Sequence, residues 1–457
     1  MGTTEKVANF IVEFDFNDIP EKGIDQAKSS ILDTIGTALV GSAGPVGTIL
    51  ANFVTEMGGN PQARLIGKGI RTSILDAALA NGAFAHVDDY DDMGSIGHAG
   101  AVFTPPALAL GEHLQLSGKK LLEAYAVGFE IGYKLRTSMG EVQNEGGFHS
   151  TALFGTVGAA AESAKLLGLD IAKTRVALGI AASLAFGIMQ NFGTYTKPLH
   201  AGNAARNGIL AAILAKKGLT ADPDILEGPR GFFCVFGQQQ SVISQMTQNI
   251  GKPLAISEYG VRIKPWPCCG GNNEALTAIL HLIEQHDIKP DEVNNINVAT
   301  SWKPPGSTIR INPRNGFEGH FSLQYNMALA LLDRKIDLDS YSDEKFSRPA
   351  MQDLIKKVNV IWHPDCVDRP LRLQSESRFA IVTLNLKDGR VISEQIDTEN
   401  RKHLVGEEIY DKYTANAKIG GVPENNIERS IELIKRLEEL KDIKELMDIV
   451  AKGIANH

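Results

Sequence analysis

The sequence predicts a mainly α-helical protein, with a large all-helical domain and a smaller α+β domain. Three observations carry this. Through residue 260, apolar residues recur at helical spacing in one Ala- and Gly-rich segment after another. Near residue 257 the chain turns to a Pro- and Gly-rich connector followed by alternating, strand-like segments. After about residue 400 it is helical and charged again.

Taken in order, residues 24–41 place Ile24, Ala27, Ile31, Ile35 and Leu39 on one helical face. Residues 47–57 and 73–86 repeat the pattern. Helices over 105–116 and 119–137 are divided by Ser117-Gly118, a stop followed by a start. Helices over 150–167, 171–190 and 200–217 follow, the first ending at Gly168 and the last at Gly218. Their many small residues let helix backbones pack closely. Residues 263–271 (IKPWPCCGG) form a rigid connector, and 273–286 the next helix. Strands are expected at 295–300 and 358–362, and as a hairpin over 378–396 turning at Asp388-Gly389. Helices at about 318–333 and 343–357 lie between them, and residues 424–449 are helical. The C-terminal helices most simply return to the first domain. That assigns 1–262 and 400–457 to the helical domain and 263–399 to the α+β domain.

At 457 residues the chain exceeds one ordinary core. Its 43% apolar and 22% charged residues describe a globular protein, and a net charge of −8 argues against nucleic acid or an anionic membrane as partner. The four cysteines show no C-x-x-C spacing and suit a reducing compartment. The N-terminus does not read as a secretory signal, and the longest apolar stretch, Ala177 to Met189, is too short for a bilayer. A cytoplasmic enzyme is expected.

Walker, G-x-S-x-G, G-x-G-x-x-G and H-E-x-x-H signatures are absent. Chemistry must come from polar islands in apolar sequence. The densest is residues 86–98 (HVDDYDDMGSIGH), with four carboxylates and two imidazoles between Ala-rich flanks. Charge this dense is costly unless it pairs, binds a metal or does chemistry. A second island holds His149 before Ser150 and Thr151, either of which could cap a helix whose N-terminus favours an anion. In the third, Lys197 opens a helix; it is either a surface residue or a cation aimed into a cleft. Lys264 lies in the connector, well placed to face a cleft between domains. The fifth contains His320, preceded by Arg310 and Arg314, which either hold carboxylates or are solvated. Acids, imidazoles and cations without a cofactor loop suit cofactor-free proton chemistry beside a carboxylate. A metal held by His86, Asp89, Asp91 and His98 is the rival reading; no metal or organic cofactor is expected.

Six stretches in order resemble the 2-methylcitrate dehydratase (MmgE/PrpD) family, which also includes cis-aconitate decarboxylase and iminodisuccinate epimerase. They are residues 31–41, 86–110, 147–169 (GFHSTALFGTVGAAAESAKLLGL), 197–232, 264–269 (KPWPCC) and 318–331 (EGHFSLQYNMALAL). The resemblance implies an all-α domain built from both chain ends, a smaller α+β lid domain, and an active site in the cleft between them. It implies a homodimer acting on a small polycarboxylate without an organic cofactor. Carried over by position, Asp89, His98, His149, Lys197, Lys264 and Tyr325 match the family's catalytic residues. Met93 stands where the family often has Thr, and Asn273 where many members have His, so both become candidate substrate-binding positions with Arg310, Arg314 and His320. The expected function is a lyase: a dehydratase of the 2-methylcitrate type, with decarboxylase and epimerase as alternatives in the same fold. A non-catalytic helical scaffold is the reading from another class.

Overall fold

Most of the protein is helical, with one small mixed sheet, in a computed structural model that describes residues 1–140, 146–237, 241–367 and 378–452. The principal helices before the connector are α1 (Thr3–Glu13), α2 (Glu21–Ala43), α3 (Pro45–Met57), α4 (Ile74–His86), α5 (Ala99–Leu114), α6 (Gly118–Met139), α7 (Ser150–Leu166), α8 (Ile171–Leu184) and α9 (Leu199–Lys216). Their starts follow local chemistry. The side chains of Ser73, Ser117 and Asp170 accept the Asp76, Lys120 and Lys173 N–H groups at the openings of α4, α6 and α8. Glycine sets the closest crossing. A Cβ on Gly82 of α4 would lie 2.9 Å from the Gly202 Cα of α9, and one on Gly202 would overlap the Leu79 carbonyl oxygen. The helices therefore meet backbone to backbone, which fixes the residues that follow α4 against those that open α9.

Beyond the connector come α10 (Asn273–His286), strand β3 (Val293–Thr300), α11 (Leu323–Asp333), β4 (Val358–Trp362), β5 (Phe379–Leu386) and β6 (Val391–Asp397). Two short strands, β1 (Met93–Gly94) and β2 (Val261–Arg262), precede them in the chain and pair with each other. The sheet order is β4-β3-β5-β6, with β3 parallel to β4 and antiparallel to β5. Burial alternates strictly along β5, as a strand with one covered face requires. The last helices, α12 (Glu407–Ile419), α13 (Glu424–Lys435) and α14 (Lys444–Val450), return to the first helices.

Two large hydrophobic cores result. One draws on residues from Val7 to Ile263 and again from Tyr413 to Val450; the other runs from Trp266 to Ile396. Residues 453–457, at the end of the expected helical segment, lie outside the described residues. Among the described residues no single helix is long and apolar enough to cross a membrane.

Several expected elements differ in their bounds. The helix expected from residue 105 begins at Ala99 and runs through Pro105 and Pro106. Its first thirteen residues are buried, and packing on every side outweighs the lost hydrogen bonds. The helix expected over 171–190 stops at Leu184, because the Gly187 carbonyl leaves helical geometry to accept the His149 N–H at 2.9 Å. The 318–333 helix is broken before Ser322, which caps α11. The 343–357 helix is broken before Pro349, whose predecessor Arg348 is extended. The hairpin turn holds three residues rather than two: Leu386 N–H donates to the Arg390 carbonyl, and Gly389 takes φ +91°.

Candidate active site

The loop after α4 is held at both ends. Asp92 Oδ1 accepts the Gly100 N–H at 2.9 Å, and its Oδ2 takes the Ser30 hydroxyl. Burial pushes the Asp92 carboxyl up to about 7. The β1–β2 ladder sets Met93 opposite Arg262, so the acidic loop and the connector run side by side. Lys412 of α12 braces both from behind. It pairs with Asp33 at 2.7 Å and donates to the carbonyls of Tyr90 (2.6 Å) and Lys264 (3.1 Å).

Asp89 is the centre. Its backbone is left-handed, φ +50°, which is uncommon outside glycine and turns its carboxylate towards the connector. Lys197 donates to Oδ2 at 2.7 Å, and Lys264 donates to Oδ1 and to the Asp89 carbonyl. All three side chains are at most 1% exposed. Burial opposes ionisation of Asp89, but Lys197 and then Lys264 outweigh it and hold the carboxyl well below its ordinary value. Burial lowers Lys197; at Lys264 the carboxylates of Asp89 and Asp91 overcome burial and raise it. The Lys197 ammonium also lies over the rings of Phe192 and Phe321, at 5.6 and 5.2 Å.

Asp91 organises the imidazoles. His86 Nδ1 lies 2.9 Å from its Oδ1, and His98 Nδ1 lies 3.1 Å from its Oδ2. An ionised carboxylate only accepts, so both Nδ1 atoms donate. His98 Nε2 then faces Asp89 Oδ1 at 3.4 Å. Burial lowers His98 and brings His86 down to about 4. His149 precedes the first residue of α7, with its Nδ1 3.0 Å from His200 Nδ1. Burial, then Lys197, keep His149 well below the ordinary imidazole value.

A cleft of about 110 Å³ opens over these groups. Of the residues singled out in the sequence, Asp89, Met93, His98, His149 and Lys197 line it, while Lys264 stands behind Asp89. Asn273 reaches it only through Met93, its Nδ2 lying 3.8 Å from Sδ. Four of the sequence candidates are turned elsewhere. The Tyr325 hydroxyl donates to the Ser340 carbonyl at 2.5 Å inside the second core. Arg310 is spent on the Phe192 and Gln190 carbonyls, and Arg314 on Glu318. His320 donates to the Pro267 carbonyl at 2.5 Å and stacks on Tyr341. Ser150 and Thr151 do not cap α7; they are its first residues, and Thr151 Oγ1 is buried with no hydrogen-bond partner among the described residues.

Sequence reading missed Arg136 and Arg378, which line the cleft from the end of α6 and from just before β5. Neither carries a local signal: one ends an ordinary helix, the other opens a hairpin. Arg378 stacks on Trp302 at 4.2 Å, and its buried Nε, 3.9 Å from Glu274 Oε1, has no hydrogen-bond partner among the described residues. Asp91 was also missed as the common acceptor of two imidazoles. For the rival metal reading, His86, Asp91 and His98 offer ligand atoms within 4.8 Å of one another, whereas Asp89 is engaged by lysines.

Comparison with known proteins bears on this arrangement. The description "MmgE/PrpD N-terminal domain" fits residues 5–245, and "MmgE/PrpD C-terminal domain" fits residues 266–439. The chain is 29% identical to cis-aconitate decarboxylase of Homo sapiens, over 98% of this chain and 94% of that protein. It is 29% identical to the Mus musculus enzyme of the same name, over 96% and 92%. With cis-aconitate decarboxylase of Aspergillus terreus it shares 27% identity, over 98% and 96%.

Proposed function

The chain belongs to the MmgE/PrpD family, and from that premise we propose that it is a lyase acting on a small di- or tricarboxylate by cofactor-free proton transfer. One observation carries the reading. Asp89 and Asp91 balance the two buried ammonium groups, and of these Lys197 lines the cleft, where it offers a cation beside the imidazoles of His98 and His149. A substrate carboxylate placed at Lys197 puts its neighbouring carbons within reach of His98 and His149. Arg136, which donates to the Ser95 carbonyl, and Arg378, which lies beside Glu274, line the same cleft and add cationic character for a further carboxylate.

Decarboxylation is the first reading, because it is the activity in the names of the similar proteins. The C–C bond to one carboxylate breaks and CO2 leaves. The electron pair left behind passes through the adjacent double bond to a carbon, which takes a proton from an imidazole. The lysine charge stabilises the anion as it forms. Dehydration of the 2-methylcitrate type is the second reading. It is favoured by two imidazoles on separate supports, the loop and α7, since elimination needs one group to take a Cα proton and another to protonate the departing hydroxyl.

Incubation with cis-aconitate, 2-methylcitrate and citrate in D2O, followed by NMR, tests both. CO2 release with deuterium at carbon marks the first, and loss of water the second. Absence of turnover and of deuterium exchange with every polycarboxylate overturns the lyase reading.

A further inference from the structure

His149 reaches the cleft, whereas His200, on the first turn of α9, does not line it. Yet their Nδ1 atoms lie 3.0 Å apart, and both rings are buried. At that separation one nitrogen carries the hydrogen and the other presents its lone pair. Two N–H groups would collide, and two lone pairs would repel. Each neutral imidazole has a single N–H, so the state of His149 Nδ1 fixes the state of its Nε2 by exclusion. If His149 donates at Nδ1, Nε2 is a bare base. If it accepts there, Nε2–H is an acid.

The pair is clamped. His149 is anchored by its backbone N–H on the Gly187 carbonyl at 2.9 Å, and its ring meets Phe192 edge-on at 4.8 Å. His200 donates its backbone N–H to the Lys197 carbonyl at 3.0 Å. Gly187 lies against the His200 ring so closely that a Cβ there would sit 3.2 Å from Cγ. Burial, then Lys197, bring His200 down to about 4, so neither ring gains a second proton near neutrality.

We propose that His200 is a positioning residue: it selects one tautomer of His149 and so decides whether His149 offers the cleft a base or an acid. The catalytic half of this statement rests on the lyase reading above; the pairing does not. Two-bond 1H–15N correlation spectra of imidazole-labelled protein read the tautomer directly. Wild type is expected to show His149 as a single tautomer. H200F should convert it to a mixture and lower kcat about 10²-fold with KM little changed. H200N, whose amide still hydrogen-bonds His149 Nδ1 in either sense, should recover part of kcat and leave His149 tautomers intermediate between wild type and H200F. An unchanged His149 tautomer or unchanged kcat in a folded H200F protein overturns the proposal. If thermal melting shows H200F to be unfolded, the wild-type spectrum decides alone, since comparable populations of both tautomers overturn it. Failure of the lyase reading is seen separately, as a wild-type protein with one His149 tautomer and no turnover.

Discussion

At the scale of single residues, the site depends on how charge is shared. D89N leaves two buried ammonium groups without their anion. Removing one partner of a buried pair costs about 3–5 kcal/mol, and kcat should fall at least about 10²-fold; urea melts and steady-state rates measure both. Met93 and Gly270 are coupled in another way. A Cβ on residue 270 would overlap Met93 Sδ, the far end of a flexible chain. G270A should therefore push Met93 into the cleft and raise KM more than it lowers stability. M93T in the same chain should recover KM, a non-additive pair in a double-mutant cycle. Acid sensitivity follows from the imidazoles. His86, His200 and His320 have folded values of about 4, against about 6.5 in an unfolded chain. The unfolded state takes up protons first, so stability is intact above about pH 6.5 and falls as pH drops towards 4, by up to about 3 kcal/mol per histidine. Asp89 and Asp91, held low, act in the same direction below about pH 4. Denaturation midpoints at pH 7.5 and 5 should differ accordingly.

At the scale of elements, the α4–α9 crossing is the joint of the site. G202A directs a Cβ into the Leu79 carbonyl, which is backbone and yields little. The two helices must separate, at a cost of about 1–3 kcal/mol. The same movement carries the His86–His98 loop away from Lys197, so kcat should fall with Tm. How far such features can be read in advance varies with their cause. Helix existence, the strands and the charged loop are legible, because periodicity and charge density are local properties. The ends of α5 and α8 are not, since burial carries one past two prolines and a distant N–H stops the other. Asp89, Lys197 and Lys264 stand out as polar residues in apolar sequence. Tyr325 and Arg310 fit the same description, yet nearby carbonyls consume their donors, which only side-chain directions reveal.

At the scale of the molecule, the two hydrophobic cores meet the cleft from different parts of the chain. Lys412 ties the far end of the sequence to the loop and the connector at once. K412M leaves Asp33 buried without its cation, and should cost about 3 kcal/mol or more. It should also lower kcat although Lys412 lies behind the cleft, because Lys264 and the Asp89 loop lose a shared support; melting curves and rates on one preparation test this. The brace has a consequence for synthesis. A ribosome releases Asp89 more than three hundred residues before Lys412. Until α12 emerges, the nascent first core lacks helices that complete it and carries Asp33 without a counterion. The early segment must therefore be sheltered from association by its own partial packing or by chaperones, and the Asp89 cluster gains its rear support only once Lys412 has been made.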